Sequence, residues 1–208
     1  MLKNSRLPLI FSMRAKILVM GPSQMENLGA HFATAVAGND NERSIKIGLL
    51  AQPGTGKTTL LKGFQEALGY SFQHEDGYEI YRKGMRSALN EQGELLRHFD
   101  LAANTNTARW KLGADFVDPF DALCSPRPAP GIDIVEHANI LANDDYDYIV
   151  RLHRHGRNTR TVDFYCSSER AAQPEFQQFV TDYAPIRARP HHYILDAFDR
   201  MYYPPATL

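Results

Sequence analysis

Residues 51–58 read Ala-Gln-Pro-Gly-Thr-Gly-Lys-Thr, and Thr59 follows. Gly54 and Gly56 free the backbone to curl until successive N–H groups face a single anion. Lys57 has the reach to meet the β- and γ-phosphates of a nucleoside triphosphate, and the Thr58 hydroxyl is a hard ligand for Mg²⁺. Gln52, Pro53, Gly54, Thr55, Gly56, Lys57, Thr58 and Thr59 are therefore read as a phosphate-binding loop. Ala51 stands where the usual pattern begins with glycine, a position that needs a small side chain more than it needs glycine.

A loop of this kind works only between a buried strand and a helix that points its N-terminus at the ligand. The apolar run Ile45–Leu50 predicts that strand. Thr58–Leu68 predicts the helix, with Leu60, Leu61, Phe64 and Leu68 at helical spacing and Gly69 at its C-terminal end. Hydrolysis would also require an acid to hold Mg²⁺ or its water, placed at the C-terminal end of a neighbouring strand. Three acids end apolar runs: Glu136 after Ile132–Val135, Asp100 after Leu95–Phe99, and Asp196 after Tyr193–Leu195. A strand-end acid that merely caps the next segment has the same appearance.

The remaining elements must hold these groups in place. Ala15–Met20 predicts a first strand, and Ser23 with Glu26 forms a capping box for a helix whose apolar face is Met25, Leu28, Phe32, Ala33 and Val36. Residues 38–41 are a turn. Tyr78–Tyr81 and Gly93–Phe99 read as strands, 104–122 as alternating helix and loop limited by Pro119, and 124–131 as a proline-rich connector. Tyr146–His153 and Arg160–Cys166 form a hairpin turning at Gly156, and Pro174–Tyr183 a short helix. The expected architecture is α/β: a three-layer P-loop NTPase fold with a mixed sheet, helices on both faces, an antiparallel hairpin near 146–166 and a C-terminal appendage. Its expected parts are an N-terminal extension (1–13), a P-loop ATPase domain (14–166) and an appendage packed on the same domain (167–208).

Composition narrows the function classes. The chain has 208 residues, 43% of them hydrophobic, and a net charge of -1, so bulk charge gives no argument for nucleic-acid or membrane binding. Cys124 and Cys166 have no metal or redox spacing and suit a reducing cytoplasm, the expected location. The run Leu7–Phe11 is too short and Pro-broken for a signal peptide, and no stretch approaches the roughly 20 apolar residues that span a bilayer. Arg151, Arg154, Arg157 and Arg160 recur around the hairpin turn, a pattern of a solvated tip or of a phosphate- or RNA-facing one; all but Arg157 are read as solvated. The histidines are read as surface or core residues, and Trp110 as a packing residue.

Taken in order, several segments resemble the TsaE (YjeE) family of bacterial P-loop ATPases. They are the helix with Asn27-Leu28-Gly29, the loop with Gly56-Lys57-Thr58-Thr59-Leu60, and Ala67-Leu68-Gly69. His98-Phe99-Asp100-Leu101 is similar to the family's His-x-Asp-x-Tyr-Arg motif. Leu112-Gly113 and Phe116–Ala122 follow, then Gly131–Glu136, similar to a strand ending Val-Glu-Trp, and a hairpin carrying Gly156-Arg157. The resemblance spans residues 15–166. It implies an ATPase, weak alone, that supports threonylcarbamoyladenosine formation on tRNA with TsaB- and TsaD-like partners and meets tRNA only indirectly. It implies that Thr58 and Glu136 hold Mg²⁺, that Asp100 lies near the γ-phosphate and its water, and that Arg157 lies near the nucleotide. The chain departs from the family where Glu75–Tyr78 replace a Ser-Pro-Thr segment, Ala102-Ala103 replace Tyr-Arg, and His137 replaces Trp. Two other functions fit the loop: a nucleoside-like small-molecule kinase using Asp76, Tyr78 and Tyr81-Arg82, and a nucleotide-binding interaction module with negligible turnover.

Overall fold

The computed structural model describes residues 11–37, 44–71, 84–101, 118–127, 129–138, 146–183 and 192–193. Among the described residues, eight strands make one sheet in the order β3-β4-β5-β2-β6-β7-β1-β8. Strands β4 (Leu95–Asp100), β5 (Gly131–Glu136), β2 (Ile45–Ala51) and β6 (Tyr148–Arg154) run parallel at its centre. Antiparallel neighbours extend it on both sides: β3 (Met85–Leu89) on β4, and β7 (Thr159–Cys166) on β6. The parallel strands place their C-terminal ends, and so Asp100, Glu136 and Ala51, at one edge of the sheet.

β1 (Phe11–Met20) pairs with β7 and starts earlier than the expected Ala15, with a register irregularity between Met13 and Ala15. Ala15, Ile17 and Val19 face the core while Lys16, Leu18 and Met20 face outward, the period-two signature of a half-covered strand. The expected Ser23 cap is not formed. Helix α1 (Pro22–Ala37) begins two positions earlier than a Ser23 cap would start it, because Gly21 at φ 87° turns the chain and Pro22 fits the first helical position. The Gln24 carboxamide oxygen, not Ser23, accepts from the Met20 N–H at 2.7 Å.

Helix α2 (Lys57–Ala67) follows β2 and ends at Gly69, whose φ of 71° fits a left-handed C-terminal turn. It crosses α1 closely enough that a Cβ on Gly63 would sit 1.9 Å from the Glu26 carbonyl oxygen and one on Gly29 2.0 Å from that of Leu60. Only glycine at both positions permits that approach. Helix α3 (Pro119–Cys124) starts at the proline expected to limit any long helix, with the Asp118 carboxylate accepting from the Phe120 N–H at 2.9 Å. β3 was not expected. It joins β4 through a turn in which the Asn90 side chain accepts from the Gln92 and Glu94 N–H groups. Tyr78–Tyr81 and most of 104–122 lie outside the described residues.

The larger core fills the space between the sheet and helices α1, α2 and α5 (Pro174–Tyr183), around Phe32, Phe64, Tyr148, Phe164, Phe176 and Phe179. The Phe32 ring meets those of Phe164 and Phe179 at 4.8 and 5.8 Å, which fixes α5 on α1. A short α4 (Ser168–Ala171), not expected, precedes it, and its Arg170 pairs with Asp147 at 2.7 Å. On the opposite face Leu50, Phe99, Leu123, Val135 and Ile149 form a second core. There Arg97 and Asp133, partners across β4 and β5, make a bidentate ion pair with both contacts at 2.8 Å, and Arg127 from the connector joins Asp133 at 3.1 Å. β8 (His192–Tyr193) pairs with Phe11 and Ser12, and the rest of the expected Tyr193–Leu195 strand lies outside the described residues. No helix among the described residues is long and apolar enough to cross a membrane.

Candidate functional site

The loop leaves the end of β2 and turns back into α2 as its glycines predict. Gly54 and Gly56 adopt φ 74° and 102°, a region where a side chain would be strained. Thr55 is buried and its hydroxyl donates to the Gln52 carbonyl at 2.7 Å, closing the turn. The Leu60 N–H bonds Gly56 O at 3.0 Å, so the helix grows directly out of the loop. No side chain caps Gly56. The first-turn N–H groups of α2 are thus left for an anion, with the positive end of the helix dipole behind them.

Lys57 folds inward. Its Nζ donates to Ala51 O at 3.3 Å and lies 3.6 Å from Glu136 Oε2, with both residues buried. The acid expected beside the loop is therefore beside it. Glu136 and Asp100 are register partners at the ends of β5 and β4. Thr58 is exposed and Thr59 half-buried on the first turn of α2, while Gln52, Pro53 and Gly54 form the exposed crest. Asp76, Trp110 and Asp196 lie outside the described residues.

Two histidines with no role assigned from the sequence beyond their place in the resemblance, His98 and His137, belong to this site. His98 shares a strand face with Asp100, and its Nε2 lies 3.0 Å from Glu136 Oε1. The Arg86 Nε–H donates to His98 Nδ1 at 3.1 Å. A ring that accepts at Nδ1 must carry its proton on Nε2, so His98 is a neutral donor that aims the Glu136 carboxylate. Burial also holds the His98 pKa below its ordinary value against the pull of Glu136. Burial opposes ionisation of Glu136, but the His98 hydrogen bond, with Lys57 and His137 nearby, outweighs it and keeps this carboxyl below its ordinary value. Glu136 Oε2 is buried and has no hydrogen-bond partner. His137, the next residue, stands at φ 56° with its Nε2 3.7 Å from Asp100 Oδ1. Its pKa is lowered, by burial first, against the attraction of Asp100. Gly48 makes room for this turn: a Cβ there would lie 2.8 Å from the Ala138 Cβ.

The hairpin approaches the loop from the other side. The reading of Arg160 as solvated is corrected, whereas Arg154 is exposed as expected. Arg160 Nε donates to Thr55 O at 3.0 Å and its Nη2 to Gly54 O at 3.4 Å, while its Nη1 holds the hairpin carbonyls of Gly156, Arg157 and Thr159. One guanidinium thus ties the hairpin to the loop. Arg154 bonds Gly156 O at 2.9 Å and places its Nη1 3.7 Å from where a Gly54 Cβ would stand. Arg157 is exposed at the tip.

No family model matches the chain, and no curated protein matches it. Among solved structures it is similar to the crystal structure of Bacillus subtilis YdiB, with 18% identity and a TM-score of 0.54, over 85% of this chain and 98% of that one. At that identity the likeness is one of fold. With a glycine-bent loop between a central parallel strand and a helix, the chain has the P-loop α/β fold of YdiB, a protein of the TsaE (YjeE) family.

Proposed function

We propose that the protein is a TsaE-like ATPase. It binds ATP with Mg²⁺, hydrolyses it slowly alone, and supports N6-threonylcarbamoyladenosine formation on tRNA in the cytoplasm with TsaB- and TsaD-like partners. The observation that carries this reading is the buried approach of Lys57 to Glu136, at 3.6 Å, beside an uncapped helix N-terminus. A phosphate-binding cation and a metal-holding acid then meet at the mouth of one loop.

The loop N–H groups and Lys57 would take the phosphates, and Lys57 would exchange Ala51 O and Glu136 for phosphate oxygens. The donor set fits a divalent cation: Glu136 Oε2 is an orphaned buried carboxylate oxygen, and Thr58 offers an exposed hydroxyl on the adjoining helix turn. Thr58 and Glu136 would hold Mg²⁺, which neutralises charge on the β- and γ-phosphate oxygens. Asp100 would orient the attacking water, and His98 would keep Glu136 in position. Arg160 would hold the crest of the loop still.

Glu136→Gln tests these assignments. ATP affinity without metal should change little, since the loop and Lys57 remain. The affinity gained from Mg²⁺ should shrink, and turnover should fall at least about tenfold, or roughly 1.4 kcal/mol of barrier. Wild-type Mg²⁺ dependence and rate in the variant would remove Glu136 from the site. Turnover raised by TsaB- and TsaD-like partners would support the tRNA-modification role. Tight ATP binding with no turnover under either condition would instead indicate a nucleotide-gated interaction module.

A further inference from the structure

Asp100, Glu136 and His137 each offer one metal-binding atom, and these atoms all lie within 4.8 Å of one another. Several features separate this trio from an ordinary patch of acids. Asp100 and Glu136 are 1% and 2% exposed, so neither carboxylate is dispersed in solvent. Two carboxylates brought together in such a place repel unless a cation joins them. Lys57 contributes a single positive charge 3.6 Å from Glu136, and it is the side chain a nucleotide would draw away.

The second observation is Glu136 Oε2. Its sister oxygen takes the His98 hydrogen bond, but Oε2 is buried without one. A carboxylate oxygen aimed by its neighbour, making no hydrogen bond and facing only the Lys57 ammonium at 3.6 Å, keeps the lone pairs a metal ligand requires. The third is the His137 backbone, held at φ 56°. Non-glycine side chains seldom adopt this region, although histidine, asparagine and aspartate do so more often than most, and a backbone of that kind is retained where the side chain has work at the position it gains. What it gains is proximity of the imidazole Nε2 to Asp100.

The donors define the ligand. Mg²⁺ prefers oxygen ligands and keeps much of its water, so an imidazole does little for it. Two carboxylates and an imidazole suit first-row transition ions. We propose that Asp100, Glu136 and His137 form a three-donor site for a divalent ion of the Mn²⁺, Co²⁺ and Zn²⁺ class, with His137 selecting that class over Mg²⁺. This extends the function proposed above, because Glu136 is shared. It does not need a nucleotide, because all three donors come from the chain.

The test uses the full-length, nucleotide-free protein. Mn²⁺ binding is followed by loss of the free-ion electron paramagnetic resonance signal, Co²⁺ binding by visible absorption, and Mg²⁺ by competition. Wild type should bind Mn²⁺ at least about tenfold more tightly than Mg²⁺. His137→Asn should lose at least about tenfold in Mn²⁺ affinity, change the Co²⁺ spectrum and leave Mg²⁺ affinity within about threefold. Asparagine tolerates the left-handed backbone, and His137→Gly, which relieves it altogether, should behave the same way. Equal Mn²⁺ affinity in wild type and both variants overturns the proposal, as does failure of the wild type to bind Mn²⁺ without nucleotide. ATP titrated separately distinguishes the two readings. Loss of ATP binding with His137-dependent Mn²⁺ binding would sink only the ATPase, and the reverse pattern would sink only this site.

Discussion

Replacing Gly63 by alanine tests how α2, and the loop at its start, is held. On helix propensity alone the change should stabilise the protein by about 1 kcal/mol. The structure predicts the opposite. The new Cβ would lie 1.9 Å from the Glu26 carbonyl oxygen, where ordinary contacts begin near 3.4 Å. The obstacle is backbone on a helix, so no side chain can swing away. The helices must part by about 1.5 Å to admit one methyl group, and a core at crystal-like density does not absorb that. Overpacking of this kind costs about 1–3 kcal/mol, and separation also loosens the Phe32–Phe64 ring contact across the same interface. A net loss of about 2 kcal/mol lowers Tm by roughly 4–8 °C for a domain of this size. Gly29→Ala, blocked by Leu60 O at 2.0 Å, should do the same. Thermal and urea unfolding followed by circular dichroism measure both. Because α2 carries Lys57 and Thr58, ATP affinity should fall as well. Either variant proving as stable as wild type would refute the close-crossing argument.

Two further outcomes follow from named contacts. Arg160→Ala removes the donors to Thr55 O and Gly54 O. It should weaken ATP binding about three- to tenfold with little change in Tm, and unchanged affinity would show that the hairpin does not steady the loop. The Cys166 thiol is buried and pushed up to about 12, by burial first, whereas Cys124 is exposed. At mildly alkaline pH the folded protein should alkylate only at Cys124, with Cys166 reacting after unfolding; rapid labelling of Cys166 in the native state would contradict its burial.

Much of this site is local in the chain and could be read there. The loop announces itself because phosphate binding by backbone needs particular residues in a row, and β2 and α2 flank it with clean periodicities. Glu136 and Asp100 stand out because each ends an apolar run. His98 entered only as part of a motif, although residues two apart on a strand share a face, so that His98 accompanies Asp100 toward the loop. Arg160 carried none, since its carbonyl partners at Thr55 and Gly54 are more than a hundred positions away. His137 was equally hidden, because no spacing reveals that a histidine will take a left-handed backbone. β3 escaped because Met85-Arg86-Ser87-Ala88-Leu89 lies at the sheet edge, half-covered and without a full apolar face. The Ser23 capping box was a real pattern overridden by Gly21 and Pro22, which turn the chain two residues sooner.

The central claim is that residues 52–59 hold ATP with Lys57 on its phosphates. Calorimetric titration of Mg²⁺-ATP into wild type and Lys57→Ala tests it most directly. Wild type should bind at one site, and the variant should bind at least about tenfold more weakly, a loss of about 1.4 kcal/mol or more, while still unfolding cooperatively. Equal affinity in the two proteins, or no binding by a folded wild type, would contradict the account.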